Sequence, residues 1–159
     1  MKSIQKMISL EGKRALITGA NGNIGRQIAI TIAELGGDLV LVDLPGTSYN
    51  ELLKFLKKSF NVNIDCIDCD LEDETSREEL IINVTKEVKP LNILINNAAF
   101  VGSSDLDGWT TDFKDQSVDT WRRALEVNLT SSFHLSKGLA NKIKNSKFGS
   151  IINIGSTYG

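Results

Sequence analysis

The residues able to do chemistry fall in a few short polar stretches, each placed just after an apolar run. Residues 18–25 read T-G-A-N-G-N-I-G, directly after Ala15, Leu16 and Ile17. From Ile24 the period changes, with Ile24, Ile28, Ile32 and Leu35 at helical spacing. Strand, glycine-rich turn and helix together make a place to hold a phosphate. Unsatisfied first-turn N–H groups and the helix dipole favour an anion, and residues without side chains let it come close. Taken alone, the same pattern also describes an empty tight turn.

Asp43 closes the next apolar run, Leu39 to Val42, 18 residues beyond Gly25. A dinucleotide-binding unit places there the acid that bonds the adenosine ribose hydroxyls. The plainer alternative is a strand-end carboxylate capping the turn Leu44-Pro45-Gly46. A carboxylate at this point repels a 2′-phosphate, and no Arg or Lys follows it in the turn, so NAD is favoured over NADP. Asp70 either caps the helix begun by Glu72, Asp73 and Glu74 or faces a ligand. Asn96-Asn97-Ala98-Ala99 offers two amides and two small residues, suited to close contact with a flat ligand or to an Asn-rich turn. Asn128 and Ser132 share a helix stripe with Trp121, Leu125, Leu135, Leu139 and Ile143. A buried unpaired amide costs about 1–3 kcal/mol, so Asn128 needs fixed partners or a wet site. Gly155-Ser156-Thr157 follows the last apolar run.

The elements that position these residues are legible from periodicity. Strands are expected over 15–17, Asp38–Asp43, 62–67, 91–95 and 150–154. Helices are expected from Ile24 to Leu35 (ended by Gly36-Gly37), over 48–60, through Leu80, Ile81, Val84 and Val88 up to Lys89-Pro90, and over 118–144. A long loop at 100–117 holds Trp109 and Phe113. Five alternations of strand and helix imply an α/β fold with a Rossmann-type doubly wound parallel sheet in order 3-2-1-4-5. The polar stretches after strands one, four and five then converge on one mouth, where the strand order reverses.

Composition narrows the function classes. The 159 residues are 41% apolar and 24% charged, with a net charge of −2, so one domain is expected and nucleic acid is not an expected partner. Residues 1–10 have too short an apolar core for a signal peptide, and no run reaches membrane length, which leaves the cytoplasm as the default location. Cys66 and Cys69 form a C-x-x-C without a second pair, and His134 is the only histidine. Core or half-buried thiols are expected there, and no metal site.

Together these residues resemble the short-chain dehydrogenase/reductases over nearly the whole chain. Residues 18–25 resemble that family's cofactor loop, so the resemblance implies cofactor contacts from Gly19, Asn21, Gly22, Asn23, Ile24 and Gly25. Asp70-Leu71 resembles the pair whose carboxylate contacts the adenine, and Asn96 to Ala99 is similar to N-N-A-G. The resemblance gives Asn97, Ala98 and Ala99 the nicotinamide-side ribose and Asp43 the adenosine ribose. Asn128 in Val127-Asn128-Leu129 matches the family's active-site asparagine, and Ser156 its catalytic serine. The chain departs from the family in two places. Asn23 stands at the middle glycine, so the loop reads T-G-x-x-G-x-x-G, the spacing of sugar-nucleotide-modifying members. The family's Tyr-x-x-x-Lys, about a dozen residues beyond the serine, has no counterpart before Gly159, and Tyr158 stands too close to Ser156.

The resemblance therefore implies the first two-thirds of an NAD-dependent oxidoreductase, incomplete over 1–159 and inactive as such. Its reaction would be hydride transfer between nicotinamide and a carbonyl or alcohol. The expected partners are a small-molecule substrate, a sugar derivative included, and further copies of the full-length chain. The alternatives are a sugar-nucleotide epimerase or dehydratase, from the glycine spacing, and a non-catalytic NAD-binding module.

Overall fold

The computed structural model describes residues 4–100 and 106–156. A short helix α1 (Ile4–Ile8) precedes β1 (Arg14–Thr18), α2 (Asn23–Glu34), β2 (Asp38–Asp43), α3 (Asn50–Ser59), β3 (Ile64–Asp68), α4 (Glu74–Lys86) and β4 (Ile93–Asn96). After a 3-10 turn (Phe113–Asp115) come α5 (Val118–Leu125), a π-helical turn (Glu126–Thr130), α6 (Ser131–Lys144) and β5 (Ser150–Asn153). All strand pairs are parallel, in the expected order β3-β2-β1-β4-β5.

Strand residues point alternately to the two faces of the sheet, and the core divides accordingly. Leu16, Val40, Val42 and Leu94 pack with Leu80 and Val84 of α4 and Leu135, Leu139 and Ile143 of α6. Ile17, Leu39, Leu41 and Ile95 pack with Ala29 and Ala33 of α2 and Leu52 and Leu56 of α3. Every residue of β1 is buried, as a central strand covered on both faces requires. On one face α4 and α6 meet closely at Gly138, where a Cβ would lie 2.5 Å from Ile81 Cδ1.

Several sequence expectations shift. Helix α4 ends at Lys86, and Val88 is fully exposed rather than part of its apolar stripe. Pro90 keeps the residue before it out of helical geometry, and Glu87 turns extended with its carboxylate 2.6 Å from Arg14 Nη1. The single helix expected over 118–144 is interrupted by the π turn, which inserts an extra residue and rotates the stripe. Leu135, Leu139 and Ile143 are buried, whereas Trp121 and Leu125 are exposed. Cys66 is exposed because β3 is an edge strand, and Cys69 is buried beyond its end. The last strand, apolar enough for an interior place, is the other edge, with Ile151 and Ile152 exposed. Among the described residues no helix is long and apolar enough to cross a membrane.

Candidate functional site

Thr18, the last residue of β1, ties the glycine turn to β4. Its hydroxyl oxygen accepts from the backbone N–H groups of Asn97 (3.0 Å) and Ala98 (3.1 Å). In return, Asn97 Nδ2 donates to the carbonyls of Thr18 (2.9 Å) and Gly19 (3.2 Å). The Asn97 amide is thus a brace between two loops. Gly19 sits at φ +61°, and a Cβ there would approach Ala98 Cα to 2.9 Å. A Cβ on Gly25 would meet the Gly19 carbonyl oxygen at 2.1 Å. Both glycines are needed for the turn to close on β4 and α2.

Asn23 begins α2 after Gly22, whose φ of −71° is extended, and no side chain caps the helix. No non-glycine residue among 18–25 has a positive φ, so the backbone at Asn23 does not call for glycine. The changed glycine spacing is therefore compatible with an ordinary loop. It leaves first-turn N–H groups of α2 without a side-chain acceptor, the usual seat of an anion.

The carboxylate of Asp43 does both things weighed for it. Its Oδ1 accepts from Leu44 N–H at 2.9 Å, holding the strand-end turn, and its Oδ2 accepts from Asn21 N–H at 2.8 Å, reaching the glycine loop. Each oxygen keeps a lone pair for another donor. Asn21 itself turns away from this exchange, its Nδ2 donating to the Ser48 carbonyl. Tyr49 is buried nearby, with its hydroxyl close to Asp43. Burial first, and then the charge of Asp43, push its phenol far above the usual range. Asp70 is not the helix cap. Asp73 takes that part, accepting from Thr75 and Ser76 N–H, while Asp70 Oδ1 accepts from Glu72 N–H at 2.9 Å.

These pieces enclose a cavity of about 600 Å³ at the carboxyl ends of the strands. Gly19, Gly22, Asn23, Ile24 and Gly25 line it from the first loop, Asp43 from β2, Asp70 and Leu71 from the turn after β3, and Asn97, Ala98 and Ala99 from β4. Asn21, Asn128 and Ser156 lie outside its lining. Asn128 is exposed in the π turn rather than buried on the helix stripe, and its Oδ1 accepts from Phe100 N–H at 2.6 Å. Ser156 follows β5, whose Asn153 Oδ1 receives a 2.8 Å hydrogen bond from the buried Asn96 amide. It stands exposed at the same end of the sheet.

Sequence reasoning missed part of the wall. Cys69, Phe100, Arg123 and Val127 also line the cavity. Burial raises the Cys69 thiol above its usual range. Arg123 donates to Glu72 at 2.8 Å and lies 5.2 Å over the Phe100 ring, which meets Trp109 edge-on at 5.5 Å. Trp109 therefore joins this outer wall, whereas Phe113 is 89% exposed. Arg123 was legible only as one of two arginines after Trp121, and nothing in its spacing singled it out.

A short chain dehydrogenase family model matches residues 13–159. The chain belongs to this family. Among curated relatives, a 7alpha-hydroxysteroid dehydrogenase of Escherichia coli K12 is 32% identical over 92% of this chain. A 3-oxoacyl-(acyl-carrier-protein) reductase of Salmonella typhimurium is 33% identical over 96%. The chain covers 54% and 58% of these two proteins, about half the length of the relatives it matches. Among solved structures, the NADPH-dependent 3-quinuclidinone reductase of Rhodotorula rubra superposes with a TM-score of 0.81 at 30% identity. There 96% of this chain matches 55% of the other. A short-chain dehydrogenase of Sphingobium yanoikuyae in complex with NADPH gives 0.78 at 29% identity, covering 91% of this chain and 54% of its own. A short chain dehydrogenase domain binds a nicotinamide cofactor, and the described cavity fits one. Its volume, the uncapped start of α2 and the two carboxylates with lone pairs to spare form a donor and acceptor set suited to a dinucleotide.

Proposed function

We propose that this chain is the cofactor-binding part of an NAD-dependent oxidoreductase acting on a carbonyl or alcohol. The observation that carries the reading is the convergence of the α2 start, Asp43, Asp70-Leu71 and the segment 97–99 on one cavity. In this account the first-turn N–H groups of α2 hold the pyrophosphate, and Asp43 accepts from the adenosine ribose hydroxyls. Asp70 and Leu71 border the adenine, and the backbone of Asn97, Ala98 and Ala99 borders the second ribose. Asn21 serves through its backbone, as a donor to Asp43.

NAD is favoured over NADP because a 2′-phosphate would meet the Asp43 carboxylate. The R. rubra protein is NADPH-dependent by name and the S. yanoikuyae structure is a complex with NADPH, so the preference is a property to measure on this chain. Bound in the cavity, the nicotinamide supplies the hydride donor or acceptor. Ser156 hydrogen-bonds and polarises the substrate oxygen where charge develops. Asn128, anchored through Oδ1, offers its NH₂ group to a relay water. The acid/base pair of this reading is not assigned to residues 1–159. Trp109 and Phe100 form one substrate wall, and a sugar derivative is the first substrate class to try.

The test is Ser156→Ala in a full-length protein. Turnover should fall by about 10²-fold or more, the usual cost of one oxyanion donor, with NAD affinity unchanged. Equal losses in turnover and affinity would assign Ser156 to the cofactor wall instead. A normal turnover would remove it from the chemistry.

A further inference from the structure

Above the apolar contact of α4 with α6 lies a buried cation that the cofactor site does not use. Arg77 continues the inward stripe of α4 through Leu80 and Val84, and it is 2% exposed. A guanidinium taken out of water must find acceptors, and Arg77 finds three on three elements. Its Nη1 donates to the Leu71 carbonyl at 2.5 Å, its Nη2 to Glu126 Oε1 at 2.6 Å, and its Nε to His134 Nδ1 at 3.3 Å. Leu71 lines the cavity, and Glu126 is the first residue of the π turn. The turn's next two residues are Val127, which also lines the cavity, and Asn128, which holds Phe100. π turns are rare and recur at functional sites, and they persist only where surroundings hold the extra residue in place.

We propose that Arg77 is a positioning residue. It fixes the π turn against the cavity floor, and so sets where Val127 and Asn128 stand relative to the bound cofactor and substrate. This deepens the reading of Asn128 given above and rests on it for its catalytic meaning, but the positional claim stands on the contacts alone. The chemistry suits the task. A planar guanidinium fixes direction at several acceptors at once, which an ammonium cannot do. One acceptor is a backbone carbonyl of the cavity floor, one a carboxylate at the turn's first residue, and one a ring nitrogen on the helix after it.

Replacing a buried ion pair by an apolar side chain of similar size is often tolerated in stability. Arg77→Met therefore separates positioning from folding, because Glu126 is about one-third exposed and is solvated when its partner goes. The measurement is amide hydrogen exchange, residue by residue, on the full-length protein, comparing wild type, Arg77→Met and Arg77→Lys. The Phe100 amide, donor to Asn128, should exchange about tenfold faster in Arg77→Met, the size of one ordinary hydrogen bond lost. The amides of β1 and β4 should be unchanged, and Arg77→Lys should recover part of the effect. In turnover assays kcat should fall more than cofactor affinity. Unchanged exchange at Phe100, or a uniform rise across the whole chain, would overturn the proposal. Should Arg77→Met fail to fold, Glu126→Gln replaces it, read by the same local-against-global comparison. An exchange result as expected with kcat unaffected would keep the positional claim and remove the catalytic role of Asn128.

Discussion

The two ends of the sheet use polar residues in opposite ways. At the amino ends of the strands Arg14 is buried and bound to Asp65 and Glu87 at 2.7 and 2.6 Å, and Lys89 joins Asp65 at 3.3 Å. The Lys142 ammonium donates to the carbonyls of Thr85 and Glu87, closing the exposed end of α4. At the carboxyl ends, Asp43 and Asp70 receive only backbone N–H groups in the described contacts, and α2 starts without a cap. The first end spends its polar groups on one another. At the second, Arg77 and Arg123 pair with Glu126 and Glu72, but the Asp43 and Asp70 carboxylates and the uncapped start of α2 keep capacity for a ligand, an uncapped helix start being the usual seat of an anion.

Removing the acceptors at the closed end should have the largest effect. With Asp65→Ala and Glu87→Ala together, Arg14 keeps its charge but loses both carboxylates, and a buried charge left so costs about 3–5 kcal/mol. Denaturant unfolding should show that loss. A change within about 0.5 kcal/mol, the range of ordinary surface substitutions, would mean that water reaches Arg14 and the two ends do not differ as described.

Gly25→Ala breaks the open end. The added Cβ meets the Gly19 carbonyl at 2.1 Å, so the loop must move, costing about 1–3 kcal/mol by overpacking and removing dinucleotide binding altogether. Isothermal titration with NAD, beside a thermal melt, checks both. Retained affinity would show that the loop geometry is not what holds the ligand.

How far the comparison was legible in the sequence follows from what each signal depends on. The strand order and the cavity residues come from local patterns, namely apolar runs ending in glycine, aspartate or asparagine. The π turn does not announce itself, since Glu126, Val127, Asn128 and Leu129 read as ordinary helix and only the rotation of the stripe from Trp121 to Leu135 betrays it. Arg77 carries no signal in the sequence, because burial of a cation depends on acceptors brought from Leu71, Glu126 and His134. The Arg14 cluster was hidden for the same reason. Residues 101–105, inside the expected long loop, lie outside the described residues.

A smaller effect concerns the edges. Strand β3 carries carboxylates at Asp65 and Asp68, whereas β5 exposes Ile151 and Ile152 beside its free backbone edge. Charge on an edge discourages pairing between chains, and a flat apolar edge invites it. The 159-residue polypeptide should self-associate in light scattering, and Ile152→Lys should reduce this. A monodisperse monomer with a cooperative melt would contradict the expectation.

The smallest effect is on acid stability. Burial alone would raise the Asp65 carboxyl, but Lys89 and Arg14 outweigh it and hold it below the ordinary carboxylate range. A depressed carboxylate contributes stability fully above its unfolded value and loses it as pH falls through the folded one. Acid unfolding should therefore steepen below about pH 4, and Asp65→Asn should flatten that limb. An unchanged limb would place the acid sensitivity elsewhere.

The central claim is that the open end is built for NAD and that Asp43 sets the choice. Calorimetric titration of the full-length protein with NAD and with NADP tests it most directly, repeated on Asp43→Ala. NAD should bind about tenfold to a hundredfold more tightly, the worth of a charge-assisted hydrogen bond, and Asp43→Ala should weaken NAD and narrow the difference. NADP bound as tightly as NAD by the unmutated protein, or neither bound by a folded protein, would contradict the account.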